Sequence, residues 1–203
     1  MRGFLILLLV MSFAFDIRAY SVDLNEKMYL LFGVGIADMN LEDNSTKIAR
    51  ALGLHAKQEK RFVGTFKGGI GLEINQNFGV ETYFQYLGKS KMEFSTSSGN
   101  TQNVTSGELD AYLYHIDLVG KLPLNQLHDE LYLLTRVGYA RSQANVTVKY
   151  GSLSSEGESN GNEVAYGAGF EFKNFRVEYQ QLNNIADDPR IYTLGYIFRF
   201  KQL

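Results

Sequence analysis

The sequence predicts an all-β fold, an eight-stranded antiparallel up-and-down transmembrane β-barrel. Three observations predict it. Eight stretches of about ten residues alternate in polarity, the length a tilted strand needs to cross a bilayer. Their bulky apolar and aromatic residues share one face, while the other carries Gly, Ala and single charges. A soluble barrel would instead expose a face rich in Lys and Glu. Finally, short and long links alternate strictly along the chain.

Composition agrees. Of 203 residues, 20 are Gly, 14 Phe, 13 Tyr and only 2 Pro, a mixture that suits strands better than long helices or disorder. A net charge of −2 gives no case for nucleic-acid binding. The absence of Cys excludes disulfides, thiolate metal sites and a Cys nucleophile.

Met1-Arg2, the apolar run from Phe4 to Phe15 and Ile17-Arg18-Ala19 follow the plan of a signal peptide over residues 1–19. The run of about 12 residues is too short for a spanning helix, which needs about 20. Residues 20–203 then form the barrel domain. Strand one sets Met28, Leu30, Phe32, Val34 and Ile36 against Tyr29, Leu31, Gly33, Gly35 and Ala37. Strand two sets Phe62, Phe66, Ile70 and Leu72 against Val63, Thr65, Lys67, Gly69, Gly71 and Glu73. Strand three has Phe78, Val80, Thr82, Phe84 and Tyr86 facing Glu81, Tyr83 and Gln85. Strand four has Tyr112, Tyr114, Ile116, Leu118 and Leu122 facing His115, Asp117, Val119 and Lys121. In strand five Leu131, Leu133, Val137 and Tyr139 oppose Leu134, Arg136, Gly138 and Ala140. Val164, Tyr166, Ala168, Phe170 and Phe172 mark strand six, and Phe175, Val177 and Tyr179 strand seven, with Glu171, Arg176 and Glu178 on the opposite face. Tyr192, Leu194, Tyr196, Phe198 and Phe200 against Thr193, Gly195, Ile197 and Arg199 close the set.

Small residues fit the cramped bore of an eight-stranded barrel, and aromatics fit a lipid-facing band. A soluble lipocalin-like barrel is the competing architecture, and the face polarity argues against it. Asn75-Gln76-Asn77, Pro123-Leu124-Asn125-Gln126 and Lys173-Asn174 read as tight periplasmic turns. Links 38–61, 88–108, 142–162 and 184–190 read as polar outer loops, with a short helix from Thr46 in the first. An even strand count puts both termini in the periplasm. Asn44, Asn103 and Asn145 sit in Asn-x-Ser/Thr sequences with no meaning in a bacterial context, and Gly33/Gly35 lie within a strand rather than a phosphate loop.

A family resemblance rests on ordered blocks. Gly68-Gly69-Ile70-Gly71-Leu72-Glu73 through Glu81-Thr82-Tyr83-Phe84-Gln85-Tyr86 resembles the second hairpin of the transmembrane domain of outer-membrane protein A. Lys121-Leu122-Pro123-Leu124, Leu133 to Gly138, Gly167 to Phe172, Arg176 to Gln180 and Tyr192 to Phe200 resemble its later strands, so the likeness covers nearly all of the mature chain. It implies a small outer-membrane barrel, monomeric in lipid and lipopolysaccharide, whose outer loops meet a host-surface ligand in adhesion or immune evasion. Two-domain members of the family continue into a periplasmic peptidoglycan-binding domain; with three residues after Phe200, none is expected here. The insertion signal read by the barrel-assembly machinery is assigned to Tyr196, Phe198 and Phe200.

On the inner face lie Lys67, Glu73, Glu81, Asp117, Lys121, Arg136, Glu171, Arg176, Glu178 and Arg199, five of each sign, with His115 beside Asp117. Buried charges must pair, so an ion-pair network filling the bore is expected. The resemblance implies that Glu81, Arg136, Glu171, Arg176 and Glu178 belong to such a network, and that partner exchange opens a narrow ion path. The family's fourth-strand lysine aligns with Val119, and Lys121 lies one inward step away. A low-conductance porin is therefore the alternative to a purely structural barrel. A lipid A-modifying enzyme is the third reading. Its chemistry needs a His at the lipid side with a Ser in reach, but strand four offers His115 no Ser, His55 falls in an outer loop and His128 near a turn. No catalytic residue, metal site or cofactor is expected.

Overall fold

The structure is a computed structural model that describes residues 27–39, 54–96, 105–150, 153–183 and 188–200. The signal peptide and the helix expected from Thr46 lie outside these residues. The described strands are β1 (Met28–Asp38), β2 (Leu54–Lys60), β3 (Phe62–Glu73), β4 (Phe78–Thr96), β5 (Thr105–Pro123), β6 (Leu131–Tyr150), β7 (Leu153–Phe172), β8 (Phe175–Asn183) and β9 (Arg190–Arg199). β2 and β3 follow one another along β4 with a break at Arg61, so they count as one stave of the barrel. Each stave pairs antiparallel with the next, and β9 closes on β1, giving a closed eight-stranded up-and-down barrel. No helix among the described residues is long and apolar enough to cross a membrane.

The faces are inverted as alternation predicts. Val34, Ile116 and Val177 are 64%, 65% and 58% exposed on the outer wall, while Lys67 and Glu81 are 4% and 0% exposed in the bore. Closure leaves no unpaired edge through this band, which is what a structure surrounded by lipid requires.

Two expectations are corrected. Links 88–108 and 142–162 are not loops over most of their length: β4, β5, β6 and β7 are 19 or 20 residues long. Crossing a bilayer takes about 9–11 tilted residues, so the remainder continues outward as paired hairpins. The link 38–61 likewise contains β2, which pairs with the outward part of β4. A bulge in β4 between Leu87 and Ser90 marks the change from wall to projection. On the projection Lys91 and Lys89 face Glu108 at 3.4 and 3.9 Å, and the hydrogen bond from Lys91 holds the Glu108 carboxyl below its usual range.

At the other end the links are tight. The Asn75 side chain accepts from the backbone N–H of Asn77 and Phe78, at 2.8 and 2.9 Å, which shapes that turn. Lys173 takes a φ of 57° in the two-residue turn to β8, the sign that such hairpin turns demand.

One close approach decides how the wall packs. Tyr29 and Gly71 are direct cross-strand partners, and the Tyr29 ring lies flat over Gly71. A Cβ at Gly71 would sit 2.1 Å from Tyr29 Cζ. Gly71→Val is therefore expected to expel the ring and lower stability by about 1–3 kcal/mol, the usual penalty of overpacking. A lower urea midpoint for the variant, refolded in lipid vesicles and scored by heat-modifiable gel migration, checks it.

Candidate functional site

Seven of the eight staves contribute an ionised side chain to the bore, and β1 contributes the Tyr29 hydroxyl. Glu81 on β4 is at the centre: its carboxylate accepts from Arg136 of β6 and Arg176 of β8, both at 2.5 Å, and from the Tyr29 hydroxyl at 2.6 Å. Glu178 is the second hub, facing Arg136 at 2.7 Å and Arg176 at 3.5 Å and pairing with Lys67 of β3. Arg136 also reaches Asp117 of β5 at 3.3 Å. Period-2 alternation along antiparallel strands aims these side chains at one another.

Toward the tight turns the network continues. Arg176 donates to Glu171 at 2.7 Å, and Glu171 also receives Arg199 at 2.5 Å and Lys121 at 3.4 Å. Lys121 and Arg199 share Glu73 at 2.7 and 3.6 Å. The Glu73 and Arg199 side chains are 30% and 32% exposed, so the chain of charges surfaces at this rim. Lys67, Glu73, Glu81, Asp117, Lys121, Arg136, Glu171, Arg176, Glu178 and Arg199 thus form one connected set, five cations against five anions. His115 sits at its edge, stacked on Tyr83 with ring centroids 4.4 Å apart and 3.7 Å from Asp117.

Neutral groups complete the set, and charge patterning alone does not reveal them. The Tyr83 hydroxyl donates to Asp117 at 2.8 Å and accepts from Arg136 at 3.0 Å and from the Gln180 amide at 2.8 Å. Lys67 and Arg136 lie 5.2 and 5.4 Å from the Tyr83 ring centroid, and Lys121 lies 5.4 Å from that of Tyr29. Alternation placed both tyrosines on the inner face, and that parity was the signal for them.

The outer half of the bore keeps the expected alanines and one single charge, Glu163, which accepts from Ser142 at 3.1 Å, but it adds large apolar side chains. Ala37, Met39, Val63, Leu87, Leu113, Leu182 and Ile191 pack there into a fully buried apolar cluster, joined by Ala111, Ala140 and Ala165. The cluster lies above the charges in the bore. His115, enclosed beneath it, is 1% exposed and cannot touch the surrounding lipid. His128 lies in an exposed turn, where its Nδ1 accepts from the Glu130 backbone N–H at 3.2 Å. The His55 side chain lies outside the described residues. Tyr196, Phe198 and Phe200 point outward, 40%, 51% and 42% exposed.

A family model described as outer membrane protein beta-barrel domain matches residues 5–200. No curated protein matches the sequence. Among solved structures the chain is similar to Ail, the attachment invasion locus protein of Yersinia pestis, at 16% identity over 85% of this chain and 99% of that one, with a TM-score of 0.45. Ail is also solved in complex with the heparin analogue sucrose octasulfate. The N-terminal β-barrel domain of Pseudomonas aeruginosa OprF matches at 14% identity over 86% of this chain and 98% of that one, with a TM-score of 0.44.

Proposed function

The chain belongs to the family of outer-membrane protein β-barrel domains, and on that premise we propose a closed structural barrel that displays its outer hairpins for adhesion or another host-surface contact. The filled bore carries this reading. Ten mutually paired charges occupy its inner half and an apolar cluster its outer half, so ions have no hydrated path. What reaches beyond the membrane is instead the long β4–β5 and β6–β7 hairpins. The barrel resides in the outer membrane. The tight turns and the ends of β1 and β9 that lie beside them would face the periplasm, as an even strand count requires. Eight staves close without a second copy, which favours a monomer in lipid and lipopolysaccharide. Tyr196, Phe198 and Phe200 are the insertion signal for the assembly machinery in this reading. Catalysis has no place in it, because the described His side chains lie in the bore or in a turn.

Low-conductance transport would need both an exchange of partners around Glu81 and a gap in the apolar cluster. The purified wild-type barrel is expected to give no discrete conductance steps in planar bilayers; steady steps would overturn the closed-barrel reading. For adhesion, replacing residues 91–108 by a short turn is expected to leave a heat-modifiable barrel and abolish attachment of expressing cells to host cells. Undiminished attachment would remove that hairpin from the proposal.

A further inference from the structure

The outer wall carries a site shaped for one amphiphile. Cross-strand pairing lines up Val34, Leu194, Val177 and Phe170 in one row around the wall, and Ile36, Tyr192, Tyr179 and Ala168 in the next row outward. Ala168 is the small member among large neighbours. A groove of about 500 Å³ opens there, between the two rows and almost wholly apolar in lining. The following row holds Arg190 paired with Gln181, two residues along β9 from Tyr192 and therefore about 7 Å farther out on the same face. Arg190 is exposed, and among the described residues no carboxylate pairs with it. Asp38, its direct partner across β1, is held by both guanidinium arms of Arg61 at 2.5 and 2.8 Å.

We propose that this groove and Arg190 bind one phosphorylated glycolipid of the outer leaflet, an acyl chain lying over Ala168 and a head-group phosphate on the guanidinium. The parts fit that occupant in order of depth. Hydrocarbon-facing side chains come first, then the Tyr179 and Tyr192 rings at the level where phenols prefer the interface, then a planar cation suited to phosphate beside Gln181, whose amide oxygen accepts from the Tyr179 hydroxyl at 2.9 Å and leaves its NH2 to donate to a sugar hydroxyl. A cation with a carboxylate already on it would gain little from phosphate. Arg190 has none among the described residues, and its charge faces the layer where lipid phosphates lie. The assignment to the outer leaflet rests on the orientation proposed above, which protease access to the β6–β7 hairpin in intact cells tests separately.

Native mass spectrometry of the detergent-folded protein incubated with diphosphoryl lipid A tests the site. Wild type is expected to retain one lipid per barrel. Arg190→Gln is expected to reduce the retained fraction about tenfold, the scale of a lost charge-assisted contact. Ala168→Phe, which fills the groove without touching charge, should reduce it as well, and Lys91→Gln, on the far hairpin, should leave it unchanged. Gel migration before and after heating shows that each variant is folded. Equal retention by wild type and Arg190→Gln, equal retention of dephosphorylated lipid A, or a preference for phosphatidylglycerol would overturn the proposal. So would competition by millimolar inorganic phosphate, since that would show a bare anion site without the groove.

Discussion

Replacing Glu81 by alanine is expected to cost about 3–5 kcal/mol of barrel stability, the scale of a broken buried ion pair. Glu81 is fully buried and is the shared acceptor of Arg136, Arg176 and Tyr29. Removing it leaves Arg136 with Asp117 and Arg176 with Glu171, and both guanidiniums competing for Glu178, which also holds Lys67. The connected set then carries one uncompensated positive charge, on side chains that are almost fully buried. Urea titration of vesicle-inserted protein, scored by the heat-modifiable fraction, gives the number. Glu81→Gln keeps the shape and should fall between wild type and alanine. A cycle with Arg176→Ala separates the pair from the rest: if the two carboxylate–guanidinium contacts act together, the double variant loses less than the sum of the singles. A loss below about 0.5 kcal/mol for Glu81→Ala, typical of a surface change, would mean that the bore is hydrated and the network loose.

The parts of this molecule that alternation describes were readable from the chain, and the parts it does not describe were not. Between Phe62 and Phe200 most lipid-facing positions of the wall are large and apolar at every second residue, with small exceptions such as Gly64, Thr82 and Ala168, so stave order, facing and the tight turns could all be derived. Parity likewise assigned Glu81, Arg136, Arg176 and Glu178 to the inner face. It could not say which cation meets which carboxylate, because partners come from different staves and depend on the stagger of the closed ring. The outward halves of β6 and β7 escaped for a different reason. Glu156, Gly157, Glu158, Ser159 and Asn160 have water on both sides, so nothing selects alternation, and Gly, Ser and Asn favour turns when taken alone. The apolar cluster hid because its members look ordinary. Leu87, Leu113 and Ala165 sit on the inner parity with nothing in their local sequence to mark them as a cluster, and only closure of the ring brings them into contact.

Arginine at position 116 tests the solvent of the outer wall. Ile116 is 65% exposed on β5, between outward-facing Tyr114 and Leu118 and across from Thr82 and Tyr139, near the middle of the band that runs from Tyr112 to Leu122. Were that surface wet, Ile116→Arg would change stability by no more than about 0.5 kcal/mol, as exposed substitutions do. In lipid the same change is expected to cost about 2–4 kcal/mol, the penalty for arginine near the bilayer midplane of a barrel. Leu127→Arg supplies the matched control, since Leu127 is 77% exposed but lies in the turn between β5 and β6, beyond the hydrocarbon. Both sites remove an exposed aliphatic side chain and add the same charge, so their difference in urea midpoint isolates depth in the membrane. A large loss at 116 with none at 127 requires hydrocarbon at the waist of the barrel. Equal small losses would return the wall to water and, with it, remove the reason for an ionised interior.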